Sequence, residues 1–128
     1  VSMIDLTAKK ANEIGLRKVG ILASPTTVKS KIYEKSLSEL GIQSVNPDKE
    51  MQNTYEKVIR NVVAGRISGE DSRRLESATR RFVRSQNLDG IILGCTELPL
   101  VFPKSKFNNV VDSLDVLADE LLTSYYKN

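Results

Sequence analysis

Four short apolar runs, separated by stretches of helical spacing, constrain this chain more than any other feature. Lys18 to Ser24 carries Val19, Ile21 and Leu22; Ile42 to Val45 is the second run, Gly90-Ile91-Ile92-Leu93 the third and Asn109-Val110-Val111 the fourth. Each is too short for a helix and reads as a strand. Between them the apolar residues recur at helical intervals. Ser2 to Glu13 has Met3, Ile4, Leu6, Ala8 and Ala11, with Ser2 as N-cap and Gly15 as stop. A helix from Val28 to Leu40 ends at Gly41. The spans Asp48–Ala64 (Tyr55, Val58, Val62) and Ser68–Gln86 (Leu75, Ala78, Phe82) form a helical pair between strands two and three. The last helix is capped by Asp112 or Ser113 and turns Leu114, Leu117, Leu121 and Leu122 to one face. Alternation of this kind predicts one α/β domain over residues 1–128, a three-layer sandwich with a four-stranded parallel sheet of order 2-1-3-4 and right-handed crossovers.

Composition removes several classes of function. No apolar run approaches the roughly 20 residues that span a bilayer, and no basic leader with an apolar core opens the chain. With one cysteine there is no internal disulfide, which fits a reducing cytoplasm. One Cys and no His argue against a metal cage and rule out Ser-His and Cys-His nucleophile pairs. Proton transfer must then use thiol, carboxylate, amine or phenol. Net charge is +3, and Arg73, Arg74, Arg80, Arg81 and Arg84 cluster, but Glu70, Asp71 and Glu76 interleave with them. The cluster reads as a solvated helix face, with an anion patch as the alternative, and no nucleic-acid partner is expected.

Function is expected at the end of the third run, in Gly94-Cys95-Thr96-Glu97-Leu98-Pro99. Ligands of open α/β sheets bind outside the carboxyl ends of the strands, which is where Cys95 falls. The plain alternative is a packing cysteine, since free thiols are usually buried. Against it, Cys95 follows a strand, Gly94 leaves room for a ligand, and Thr96 and Glu97 place a hydroxyl and a candidate base beside the sulfur. The turn Ser24-Pro25-Thr26-Thr27 ends the first strand. Its hydroxyls either cap the next helix or join a helix N-terminus that receives a carboxylate or phosphate. With the order 2-1-3-4, these two loops line one crevice.

The motif Gly94–Pro99 resembles the second cysteine motif of the aspartate/glutamate racemase family, on the aspartate side. Val19–Ser24 through Val28, Tyr33, Gly41-Ile42 with Pro47-Asp48, and Asp112 through Ala118 resemble further family segments in order. The resemblance implies a Rossmann-like racemase domain, the family's second domain plus its terminal helix. It implies cofactor-independent racemisation of a small acidic amino acid, with proton transfer at Cα by thiol and thiolate. Cys95 and Glu97 are the catalytic candidates, and Ser24, Thr26, Thr27 and Thr96 the substrate-binding ones. Glu97 would serve as the local base for the thiol, although as a fixed anion it also raises the thiol pKa. Thr96 would bond substrate or position the thiol, its plain role being a turn cap. A homodimer and a partnering amino-terminal domain are implied as well.

The chain departs from the family pattern in two places. It has no second cysteine, and Val63 stands where relatives often carry a lysine, with Arg66 the nearest cation. Because the chain opens on Val1 and a helix, something is expected to precede it; a fragment or a truncated member are the two readings. The competing functions are a single-cysteine decarboxylase-like enzyme and a non-catalytic carboxylate-binding or assembly domain.

Overall fold

The computed structural model describes residues 2–127. Its sheet has the order β2-β1-β3-β4, with β1 at Lys18–Leu22, β2 at Gln43–Val45, β3 at Gly90–Leu93 and β4 at Val110–Asp112. All three pairings are parallel, as the alternation of elements predicts, and the register sets Leu22 opposite Leu93 and Leu93 opposite Asp112.

Strand side chains alternate between two cores, as a period of two requires. Val19, Ile21, Ile92 and Val111 face α1 (Met3–Glu13), α3 (Ile32–Glu39) and Val116 of α6 (Ser113–Lys127). Leu22, Ile91 and Leu93 face α4 (Lys49–Val63) and α5 (Gly69–Gln86), which present Tyr55, Val58, Leu75, Ala78 and Phe82. Each fully buried aliphatic side chain stabilises the fold by about 1.5–3 kcal/mol in transfer terms. Gly20 is a packing requirement: a Cβ there would lie 2.6 Å from Phe82 Cε2 and 2.8 Å from Leu88 Cδ1. Between the two crossover helices the Tyr55 and Thr79 hydroxyls meet at 3.0 Å, both buried. Burial pushes the Tyr55 phenol up to about 12 against the opposing effect of that bond.

Three local expectations are corrected. The first strand stops at Leu22, and the next helix, α2, begins at Pro25 and not near Val28. Ser24 caps it by accepting the Thr27 N–H at 3.4 Å, and Pro25 takes the first helical position, where its missing N–H costs nothing. The single helix expected up to Leu40 is two, because Lys31 adopts a left-handed conformation (φ 58°) between α2 (Pro25–Ser30) and α3. The fourth strand is Val110–Asp112, one residue later than expected; Asn109 has φ 58° and stays outside it. The helix pair follows its caps: the Asp48 carboxylate accepts the Met51 N–H at 2.9 Å and the Ser68 hydroxyl accepts the Asp71 N–H at 3.3 Å. On α6 the expected apolar face is largely uncovered, with Leu121 59 % and Leu122 55 % exposed. Among the described residues no helix is long and apolar enough to cross a membrane.

Candidate active site

β1 and β3 run side by side and leave the sheet at the same end, so Ala23-Ser24 and Gly94-Cys95 follow on adjacent chains. The Gly94 N–H donates to the Leu22 carbonyl at 2.8 Å and extends that pairing past the strands. Gly94 is not at a positive φ, and the expectation that it leaves room for a ligand is corrected. A Cβ on Gly94 would lie 2.9 Å from Tyr33 Cε2 and 3.3 Å from Ala23 Cβ, so the space belongs to the tyrosine ring.

Cys95 is half-buried and free. Its sulfur accepts the Leu98 N–H at 3.4 Å, where a short 3₁₀ turn (Leu98–Leu100) begins. Burial pushes the thiol above its ordinary value of 9.0. The Leu98 and Glu97 N–H groups oppose that rise, and the charges of Glu97 and Asp112 add to it. At neutral pH Cys95 is therefore a thiol, a proton donor before it is a base. Among the described residues no hydrogen bond joins the Glu97 carboxylate to the sulfur, and its effect on Cys95 is that of a nearby anion. The measurable result is that Glu97→Gln moves the midpoint of Cys95 alkylation by iodoacetamide to lower pH, because a raising charge is gone. An unmoved or higher midpoint would show that Glu97 does not set the thiol's field.

The other expected site residues divide by location. Ser24 and Thr27 are half-buried, and their hydroxyls meet at 3.2 Å within the cap of α2. Thr26 and Thr96 are exposed. Val63 is 70 % exposed and Arg66 is exposed as well.

Several groups around Cys95 were not foreseen as site residues. The buried Tyr33 hydroxyl and Ser113 Oγ meet at 2.9 Å, and burial raises the phenol so that it stays neutral. Asp112, at the end of β4, is buried and accepts from Lys104 Nζ at 2.6 Å and from the Leu114 N–H at 2.9 Å. Lys104 also reaches Asp115 at 3.1 Å. Gln52 Nε2 donates to the Ala23 carbonyl at 2.9 Å, while its Oε1 is buried without a partner. The sequence signal for Asp112 was its cap position alone; nothing in the pattern joins it to Lys104. Among the described residues no group of His, Cys, Asp or Glu is placed to hold a metal ion.

Desolvation opposes the charge on Lys104, and its bonds to Asp112 and Asp115 outweigh it, so its pKa lies above the ordinary 10.5. A raised lysine contributes stability that is whole below the unfolded-state value and is lost as pH rises through the folded one. Lys104→Met is accordingly expected to cost about 1–2 kcal/mol at pH 8, allowing for partial exposure. In urea melts the gap from the unmodified chain should close as pH rises through the lysine's folded-state value; a constant gap would assign the loss to packing.

A family model described as Asp/Glu/hydantoin racemase matches residues 1–121. The chain belongs to that family. It is similar to the crystal structure of an aspartate racemase homologue from Pyrococcus horikoshii, with TM-score 0.86 and 30 % identity over 96 % of this chain and 54 % of that one. An aspartate racemase of Picrophilus torridus matches with TM-score 0.81 and 32 % identity, over 97 % of this chain and 52 % of its own. The chain thus spans about half the length of these racemase-family structures. A glutamate racemase of Synechococcus is 29 % identical over 79 % of this chain and 37 % of its own. An uncharacterized protein of Pectobacterium carotovorum, 30 % identical, is matched over 98 % of this chain and 85 % of its own length. The four-stranded parallel sheet is shared with the racemase structures, so the family is established for both sequence and fold.

Proposed function

We propose that this domain forms one half of a cofactor-independent amino-acid racemase site, acting on a small acidic amino acid, with Cys95 as one of its two proton-transfer groups. The observation that supports this most is the placement of a half-buried thiol at the carboxyl end of β3, next to the hydroxyl-bearing exit of β1. Racemisation breaks the Cα–H bond on one face of the substrate and forms a new one on the opposite face. As a thiol, Cys95 delivers a proton to Cα and becomes a thiolate; a second group, on the other face, accepts the proton that leaves. After turnover the roles are reversed. Glu97, as a nearby anion, holds Cys95 in the protonated form from which it delivers its proton, and Ser24, Thr26, Thr27 and Thr96 supply hydroxyls to the substrate carboxylates.

This chain holds a single cysteine, so the opposing group comes from another domain or a second copy. A reducing cytoplasm, where a lone thiol stays reduced, is the compartment that suits it. The same observation favours a second reading, a carboxylate-binding domain that keeps the crevice without the reaction. Deuterium incorporation at Cα of L-aspartate and L-glutamate in heavy water separates the two. Exchange by the folded chain supports the half-site. No exchange by the chain, or by a preparation joined with a cysteine-bearing domain of a relative, would leave the binding reading.

A further inference from the structure

We propose that the domain carries a second binding site, at the end of the sheet away from Cys95, for a small organic anion with a flat apolar body. A cavity of about 310 Å³ opens there between the second half of α5 and the segments that lead into β3 and β4. That is the lower end of the size range of small-molecule pockets. Its rim carries Arg80, Arg84 and Lys106, and its apolar wall carries Val83, Leu88 and Phe107.

The charges do not cancel. Among the described residues the side chains of Arg84 and Lys106 make no ion pair, whereas Arg74 on the same helix is held by Glu70 at 2.6 Å. Arg80 lies 3.9 Å from Glu76 and also donates to the Lys106 carbonyl at 3.3 Å. The one acid that lines the cavity, Asp89, faces β1, where its Oδ2 accepts the N–H groups of Arg17 and Lys18 at 2.8 and 3.0 Å. A cationic rim over low-dielectric walls concentrates an anion.

The apolar part has a defined shape too. The Arg80 guanidinium sits 5.1 Å above the Phe107 ring, and that ring packs on Phe102 at 5.4 Å between centroids. A guanidinium held over an aromatic ring presents its own plane and N–H groups to a planar group that carries a carboxylate or phosphate. The remaining arginines of α5, Arg73, Arg74 and Arg81, are exposed, and Glu70, Asp71 and Glu76 interleave with them.

The probe is phenyl phosphate, compared with inorganic phosphate at constant ionic strength, by amide NMR of the chain. Saturable shifts are expected at Gly90, Asn108 and Asn109, with phenyl phosphate about ten-fold tighter than phosphate. The double substitution Arg84→Ser, Lys106→Ser is expected to weaken phenyl phosphate by about ten-fold or more while leaving amide dispersion intact, since both side chains are exposed. Non-saturating shifts, an unchanged affinity in the double variant, or shifts confined to Ser24–Thr27 and Cys95–Leu98 would each overturn the proposal.

Discussion

Replacing Cys95 by serine is expected to slow Cα deuterium exchange on L-aspartate by about 10²–10⁴-fold, the usual worth of a positioned acid–base group. Serine keeps nearly the same shape and still accepts the Leu98 N–H that the sulfur now accepts at 3.4 Å. What it lacks is a proton that can be given up as readily, because a hydroxyl ionises far less easily than a thiol. The turn after β3 therefore survives while proton transfer does not. Urea midpoints of the two proteins should coincide. Equal exchange rates in a folded variant would remove Cys95 from the chemistry and with it the racemase reading of this half-site.

The second large effect is on stability. Phe82→Ala is expected to cost about 3–5 kcal/mol, the usual range for a buried phenylalanine. Phe82 is 2 % exposed, and its ring fills the space over Gly20 on β1. Substitution leaves a void between α5 and the central strand that a parallel sheet, buried on both faces, cannot collapse into. The contact also makes a double-mutant test available. Gly20→Ala in the unmodified chain drives a methyl to within 2.6 Å of the ring and is expected to cost about 1–3 kcal/mol. In the Phe82→Ala background that penalty should shrink to what Leu88 Cδ1, 2.8 Å from the same position, still imposes, a coupling that neighbours in contact show and distant sites do not. Additive losses would mean that strand and helix do not meet where described.

The strands and the crossover pair were legible because Gly and Pro bracket short apolar runs and because Tyr55, Val58 and Val62 or Leu75, Ala78 and Phe82 recur at helical intervals. Lys31 was not, since a left-handed lysine carries no sequence mark as glycine would. The turn holding Pro25 is expected to end a strand, whereas Pro25 opens a helix; both roles follow from one fixed φ, and only tertiary packing selects between them. In the candidate site, Cys95 and Ser24 could be placed at one edge from strand order alone. Tyr33, Lys104 and Asp112 could not, because a ring under Gly94 and a lysine reaching back to a strand end are contacts across long separations. The leucines of α6 show the opposite failure: periodicity finds an apolar stripe, and exposure shows that it is not spent on this domain's core.

The strand order also decides how the chain must fold. β1 lies inside the sheet, yet Gly20 pairs with Ile91, so one flank of the central strand stays open until both crossover helices have been laid down. The β1–β2 and β3–β4 pairs are each closed by a short connection, whereas β1–β3 is not. Pairing over such a separation requires closing a long loop before any contact repays it, and it places this domain among the slower folders for its size. During synthesis the unpaired flank of β1 is a hydrophobic edge awaiting a partner, and that strand is the one that runs into the Ser24 turn.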